Sequence, residues 1–287
     1  MKFIYTTLFL LIFNSFGFSQ INSIMKQFEN RSHTFDTTSI PYRIFIPSQQ
    51  ENIAYPLIIA LHGAGERGND NEAQIEPHKL ATVWADSINQ KSHPCFVIAP
   101  QCPKNERWVD SNWDLNTFDF KSKPISNELE TVYDLIEKTI EKYPIDRHRI
   151  YITGLSMGGI GTWYMLMKYP KTFAAAIPMS GVGDPQIACD IAHIPIWNFH
   201  GDMDKAVSVE GSRMMIEALG KCGDGVLLIP NPNSRDILEN EVNTEEIMNS
   251  DLIYTEYQDK GHVIWKESYE NILVREWLFS KSLNISK

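Results

Sequence analysis

Short apolar runs alternate with amphipathic segments along most of the chain. Each apolar run ends where glycine, proline or polar residues begin, and the next segment repeats its apolar residues with helical spacing. Alternating strands and helices are typical of a mainly parallel β-sheet, because parallel neighbours need a crossover connection that is usually a helix. Strands are predicted at residues 42–46, 56–61, 96–99, 150–153, 174–178, 194–199 and 252–257.

The segment 127–143 has the clearest helical pattern. Its residues Leu129, Val132, Ile136 and Ile140 recur three or four positions apart and share one face, while the other face is charged. The sequence therefore predicts an α/β fold with a mainly parallel central sheet and helices on both faces. Further helices are predicted at 157–168, 210–219 and 268–279.

Residues 1–20 differ in composition from the rest of the chain. Lys2 precedes an apolar run at 3–13, and the small residues Gly17 and Ser19 follow it. This order is typical of a secretory signal peptide, whereas the run is too short for the about 20 residues that span a bilayer. We therefore expect export to the periplasm or the medium without a stable membrane anchor, and a permanent anchor is the weaker alternative.

Composition limits the class of protein. The chain has 287 residues, of which 43% are hydrophobic, so residues 21–287 are expected to form a single domain around one large core. The net charge of -10 argues against nucleic acid as a partner, because nucleic-acid affinity depends on clustered Lys and Arg. A small-molecule or polysaccharide-linked partner is compatible with this charge.

The chain has four cysteines, all beyond the predicted signal peptide. An even number permits two disulfides in an oxidising compartment, but the pairing does not follow from the sequence. No spacing typical of a zinc site is present, and we expect neither a metal nor a cofactor. The cysteines are Cys95, Cys102, Cys189 and Cys222.

Ser156 lies in a GxSxG motif, Gly154-Leu155-Ser156-Met157-Gly158. A predicted strand precedes the motif and a predicted helix follows it. In this context the serine occupies a tight strand-to-helix turn that exposes its hydroxyl, so Ser156 is the candidate nucleophile. An isolated GxSxG pattern would otherwise indicate only a glycine turn.

A serine hydroxyl needs a base, and the base needs a carboxylate that orients it. Of the histidines after Ser156, His193 precedes a strand and His200 lies within the candidate acid loop, where it is expected to brace that loop by hydrogen bonding. His262 follows the strand at 252–257 and is the candidate base. This position agrees with the chain order Ser, acid, His of hydrolases with this type of serine turn.

The acid is expected between the serine and the histidine. Asp202 and Asp204 both follow the strand at 194–199. We favour Asp204, and Asp202 remains the alternative, because only geometry decides which carboxylate reaches the imidazole.

Acyl transfer also needs backbone amides that stabilise the oxyanion of the tetrahedral intermediate. One donor is expected from Met157, the residue after the serine. The second is expected from the glycine-rich segment 62–68 after the strand at 56–61, where Ala64 is the candidate. An ordinary tight turn is the alternative for this segment.

Together, the segments HGAGERG, GLSMGG, HGDMD and DKGH resemble the α/β-hydrolase superfamily over residues 42–279. The resemblance is greatest to phospholipase/carboxylesterase, dienelactone-hydrolase and polyhydroxybutyrate-depolymerase-like esterases. It implies an α/β-hydrolase fold and a carboxylic ester hydrolase. It also implies that Asp204 is the acid and that Ala64 donates to the oxyanion.

Two segments depart from this resemblance. The stretch 230–251 is polar, acidic and longer than the link expected before the last strand, so it is expected to be a surface insertion that could also wall a substrate cleft. The segment 107–114 contains Trp108 and Trp113, which could stack on a sugar or an aromatic acyl group. Packing of these side chains under a loop is the stronger alternative.

The sequence predicts a secreted serine esterase that forms an acyl-enzyme on Ser156 and acts on a small-molecule or polysaccharide-linked ester, such as a carbohydrate ester carrying an acetyl or feruloyl group. Two alternatives remain at this point. One is a serine peptidase of the prolyl-oligopeptidase type, which has the same three catalytic groups. The other is a binding protein that keeps the fold but not the reaction.

Overall fold

The computed structural model describes residues 23–76, 78–112, 115–223, 225–230 and 243–283. The predicted signal peptide 1–20 lies outside the described residues, as do Trp113 and most of the acidic stretch 230–251.

The described strands form one sheet of nine strands in the order β1-β2-β4-β3-β5-β6-β7-β9-β8. β1 pairs antiparallel with β2, and β2 pairs antiparallel with β4, whereas all other pairs are parallel. The predicted mainly parallel sheet is therefore confirmed. The strands are β1 Glu29–Phe35, β2 Thr38–Phe45, β3 Tyr55–Leu61, β4 Phe96–Pro100, β5 Ile145–Leu155, β6 Ala175–Met179, β7 Ile196–Gly201, β8 Leu227–Pro230 and β9 Leu252–Tyr257.

Helices cover both faces of the sheet. Successive residues of β3 enter opposite cores, with Leu57 and Ile59 in one and Ile58 and Ala60 in the other. The first core includes apolar residues of α3, α4 and α6, and the second includes residues of α1, α8 and α9. The described helices are α1 Thr82–Ala85, α2 Ser87–Ser92, α3 Asn127–Lys142, α4 Met157–Lys168, α5 Ala188–Ile191, α6 Val209–Cys222, α7 Thr244–Asn249, α8 Trp265–Glu270 and α9 Ile272–Ser280.

The predicted helix at 268–279 is wrong in one respect, because two helices occupy this region. α8 ends at Glu270, and the Asn271 side chain accepts a hydrogen bond from the Leu273 amide at the start of α9. An asparagine in this position caps a new helix, since its side chain satisfies an amide that has no acceptor within the helix.

One disulfide joins Cys189 in α5 to Cys222 at the end of α6. Cys95 and Cys102 are buried free cysteines, and burial raises the pKa of the Cys95 thiol to about 12. Both thiols lie in the core, and the two-disulfide option is not realised. Among the described helices, none combines the length and the apolar character needed to cross a membrane.

The fold brings the candidate residues to one edge of the sheet. β3, β5, β7 and β9 run parallel, so their carboxyl ends meet at the same edge, and the segments that follow them carry the predicted site.

Candidate active site

Ser156 occupies the turn between β5 and α4. Its backbone lies at φ 54 and ψ -119, a region that non-glycine residues rarely adopt. Such a conformation costs about 1–3 kcal/mol and persists only where surrounding contacts enforce it. Here the Ser156 amide donates to the Met179 carbonyl at 2.9 Å, which anchors the turn to the end of β6.

The glycines of the motif make this turn sterically possible. A Cβ at Gly154 would overlap the backbone carbonyl of Gly158, and a Cβ at Gly158 would overlap the carbonyl of Leu61. The start of α4 is therefore in direct contact with the ends of β3 and β5. Both glycines are needed because backbone atoms occupy the space of a side chain.

His262 lies between the serine and an aspartate. Its Nε2 is 2.8 Å from Ser156 Oγ, and its Nδ1 is 2.6 Å from Asp204 Oδ2. The Trp265 ring packs edge-on against the imidazole with ring centroids 5.0 Å apart. The imidazole is thus oriented on one side by a carboxylate and on another by an aromatic ring, and it can take a proton from the serine.

The Asp204 side chain is fully buried and accepts hydrogen bonds on both oxygens. Oδ1 accepts the amides of Ala206 and Val207 at 2.8 and 3.0 Å, and Oδ2 faces the imidazoles of His262 and His200. Burial alone would raise the pKa of Asp204, but the hydrogen bonds from His200, His262 and Val207 outweigh it and hold the pKa well below its ordinary value. Asp204 is therefore ionised at neutral pH.

Asp202 points to a different partner from that of Asp204. Its Oδ1 accepts the Lys260 amide at 3.3 Å, which ties the acid loop to the histidine loop. The structure thus brings Ser156, His262 and Asp204 together in one hydrogen-bonded chain, and Asp202 supports the loops around it.

Ala64 and Met157 lie on two segments that meet beside the serine. Ala64 begins a 3-10 turn and Met157 begins α4, and the first amides of a helix have no acceptor within it. The segments touch, because a Cβ at Gly158 would lie 2.7 Å from the His62 carbonyl and one at Gly63 would lie 2.8 Å from Leu155. The two candidate oxyanion donors are therefore neighbours in space.

His62 braces the turn that carries Ala64. Burial lowers the pKa of His62 to about 4, so the ring is neutral at pH 7. Its Nε2 accepts the Cys102 amide at 2.9 Å, which leaves the proton on Nδ1 to be donated to the Gly63 carbonyl at 2.6 Å. A neutral histidine thus fixes the residue before Ala64.

The expectation that Trp108 stacks on substrate is corrected by its burial. Trp108 is 0% exposed, and its indole Nε1 donates to the His62 carbonyl at 3.0 Å. A Cβ at Gly161 would collide with it, so the absence of a side chain there makes room for the indole. Trp108 is a core residue that contacts the turn carrying Ala64, and Trp113 lies outside the described residues.

Ser180 is a residue of the site that the sequence reasoning missed. It follows β6, is fully buried at a positive φ of 45, and its hydroxyl donates to the His262 carbonyl at 3.4 Å. Strained, buried polar residues are frequent at functional sites. The only sequence signal was a serine-glycine pair at the end of a predicted strand.

Within the part of the chain that the structure describes, no group of three or more His, Cys, Asp or Glu residues could hold a metal ion.

The nine-stranded sheet and the serine turn together define the α/β-hydrolase fold class. Residues 44–243 match the family model described as Phospholipase/Carboxylesterase, and the chain belongs to this family. The predicted resemblance to this family is thereby confirmed.

Individual relatives agree with this assignment. A crystal structure described as a thermostable esterase superposes with a TM-score of 0.77 at 38% identity, over 91% of this chain and 64% of that one. A SOBER1-like probable carboxylesterase of Arabidopsis thaliana is 26% identical over 68% of this chain and 75% of its own length. A bifunctional acetylxylan esterase/xylanase of Neocallimastix patriciarum is 24% identical over 54% of this chain. The match spans only 20% of the length of that bifunctional relative.

Proposed function

We propose that this protein hydrolyses carboxylic esters through an acyl-enzyme on Ser156. The observation that supports this most strongly is the continuous chain from Ser156 Oγ through His262 to the buried Asp204, with contacts of 2.8 and 2.6 Å. A nucleophile in contact with a base that a third group orients is the arrangement required for acyl transfer.

In the first half-reaction, His262 Nε2 accepts the Ser156 proton while Oγ forms a bond to the ester carbonyl carbon. The ionised Asp204 stabilises the imidazolium that results and keeps its Nδ1–H in place. The carbonyl oxygen gains negative charge, and the amides of Ala64 and Met157 are the donors that meet it. His262 then gives the proton to the leaving alkoxide, which departs as the alcohol.

In the second half-reaction, water replaces the alcohol. His262 takes a proton from the water as its oxygen attacks the acyl carbonyl, and the same amides stabilise the second oxyanion. Collapse breaks the bond to Ser156 Oγ, which recovers its proton from His262. The acid leaves, and the resting state is restored.

We propose a carbohydrate-linked ester, carrying an acetyl or feruloyl group, as the substrate class. One similar protein is named as an acetylxylan esterase/xylanase, although the match covers 20% of that protein. The support for this substrate class is similarity to part of a larger relative.

We also propose that the protein is exported. The support is the signal-peptide pattern at residues 1–20, together with the disulfide between Cys189 and Cys222. Disulfides persist mainly in oxidising compartments outside the cytoplasm.

The test compares the chain from residue 21 with Ser156→Ala on p-nitrophenyl acyl esters, methyl ferulate, acetylated xylan and a peptide panel. We expect ester hydrolysis that falls by about 10⁴ to 10⁶ in turnover in the variant. Ser180→Ala is a comparison within the site, because it removes a hydroxyl that contacts the His262 backbone but leaves the nucleophile, so its turnover should fall far less than that of Ser156→Ala. Equal rates for Ser156→Ala and the unaltered protein would exclude the mechanism, and hydrolysis of peptides in preference to esters would support the peptidase alternative.

A further inference from the structure

A second histidine lies against the acid of the site. His200 is 0% exposed, and its Nε2 is 3.1 Å from Asp204 Oδ2. The same oxygen lies 2.6 Å from His262 Nδ1. One carboxylate oxygen therefore faces two imidazoles, of which only that of His262 also reaches the serine.

The surroundings of His200 decide where its proton lies. Nε2 is also 3.1 Å from the Val207 carbonyl, so both of its neighbours are acceptors and Nε2 must carry a hydrogen. Nδ1 is 2.8 Å from the hydroxyl of Ser212 in α6, which can donate or accept. His200 is thus a donor to Asp204, and a buried hydroxyl holds the opposite side of its ring.

The other charged groups near His200 already have partners. Glu256 on β9 is the residue paired with His200 across the β7–β9 ladder. Its carboxylate accepts Arg213 Nε at 2.9 Å and the Tyr254 hydroxyl at 2.6 Å. Asp204 is therefore the carboxylate to which His200 is directly hydrogen-bonded.

We propose that His200 is a positioning residue that holds the Asp204 carboxylate toward His262 and limits how strongly this carboxylate attracts the His262 proton. The inference rests on the proposed function. Two loop amides fix Oδ1, but without His200 the contact to His262 is the one side-chain hydrogen bond that holds Oδ2. A carboxylate whose charge is shared among more donors stabilises each neighbouring cation less.

The test is a pair of variants at this position. His200→Gln places an amide N–H near the position of Nε2, whereas His200→Leu has similar bulk and no donor. For His200→Leu we expect kcat to fall by about 10- to 100-fold with KM within about threefold, the range for loss of a hydrogen bond to a charged group. The midpoint of the acidic limb of kcat/KM against pH should rise by about 0.5 to 1 unit, because Asp204 then stabilises the His262 cation more strongly.

His200→Gln should restore kcat to within about fivefold of the unaltered protein and return the acidic midpoint to its original pH. Two results would overturn the inference. One is His200→Leu with unaltered kcat and acidic midpoint, and the other is an equal loss in both variants, which would indicate a requirement for the ring rather than for its donor.

A second measurement needs neither activity nor a folded His200→Leu variant. NMR of the unaltered protein with ¹⁵N-labelled histidine should show a hydrogen on His200 Nε2, with the signals assigned by their loss in His200→Gln. A His200 Nε2 without a hydrogen would overturn the inference, since such a nitrogen cannot donate to Asp204. If Ser156→Ala instead kept full esterase activity, the proposed function would fail whatever the state of this proton.

Discussion

The turn at Ser156 and the loop at Asp204 lie next to each other but are held by different forces. Ser156 sits in a rare backbone conformation that tight backbone contacts around Gly154 and Gly158 enforce. Asp204 has no such backbone strain, and hydrogen bonds from two amides and two imidazoles fix its side chain. Steric contacts position Ser156, whereas hydrogen-bond donors position Asp204.

The two parts of the site should therefore tolerate different substitutions. The serine turn should be sensitive to the addition of a single methyl group, because no space exists between its backbone segments. The acid loop should be sensitive to the loss of charge or of a donor, because its geometry depends on hydrogen bonds to a buried anion.

The largest effect is expected from Asp204→Asn. The variant keeps the shape of the side chain but loses the charge, and its amide favours the wrong tautomer of His262, so kcat should fall by about 10⁴. Steady-state kinetics on a p-nitrophenyl ester measure this. Asp202→Asn is the matched control in the same loop and should retain kcat to within about threefold, since Asp202 does not contact the imidazole.

Gly158→Ala tests the steric half of the comparison. Its Cβ would overlap the Leu61 carbonyl, so the free energy of unfolding should fall by about 3 kcal/mol, the upper end of overpacking costs. Urea denaturation measures the loss. Gly65→Ala is the control, because a Cβ there meets nothing within 4 Å, and a loss of more than about 0.5 kcal/mol in this variant would contradict the steric account.

A smaller effect is expected in the pH dependence of stability. The pKa of Asp204 is lower in the folded protein than in the unfolded chain, so its ionised form stabilises the fold above about pH 3.9, the unfolded value. That contribution is lost as the pH falls through the folded pKa. Urea denaturation between about pH 5 and 2 should therefore show a steeper acid loss for the unaltered protein than for Asp204→Asn. If the free energy of unfolding fell equally with pH in both proteins, the ionisation of Asp204 would not contribute to acid sensitivity.

The smallest effect concerns Trp108→Phe. The variant loses the indole hydrogen bond to His62, which should lower the free energy of unfolding by about 1–2 kcal/mol. KM should change by less than about twofold for methyl ferulate and acetylated xylan, since a buried indole presents no face to substrate. A selective rise in KM for these esters would contradict the core position of Trp108.

Much of the fold could be predicted because buried strands carry long apolar runs. β3 and β4 are buried throughout, and the sequence predicted both. β1, Glu29–Phe35, was missed because it is an edge strand with mostly exposed residues, and its sequence lacks apolar alternation. The first part of β5 was missed for a similar reason, since its segment Asp146-Arg147-His148-Arg149 is polar.

The candidate site could be predicted where its residues lie in a recognisable motif directly after a predicted strand. Ser156 and His262 follow β5 and β9 in the expected order, and the structure brings them together. Asp204 was favoured over Asp202 and the resemblance to known esterases supported this choice, but both residues follow β7, and the contact to His262 distinguishes them. The burial of Trp108 and the positive φ of Ser180 could not be predicted from the sequence, because both depend on contacts between segments that are distant in the chain.

The most direct test of the central claim is covalent labelling of Ser156 by a fluorophosphonate, with the labelled peptide identified by mass spectrometry. A serine reacts rapidly with such a reagent only when a base activates it. The account predicts one modified residue, Ser156, in the unaltered protein, and slow labelling in both His262→Ala and Asp204→Asn. Modification at another residue, or equally fast labelling of the His262→Ala variant, would contradict the account.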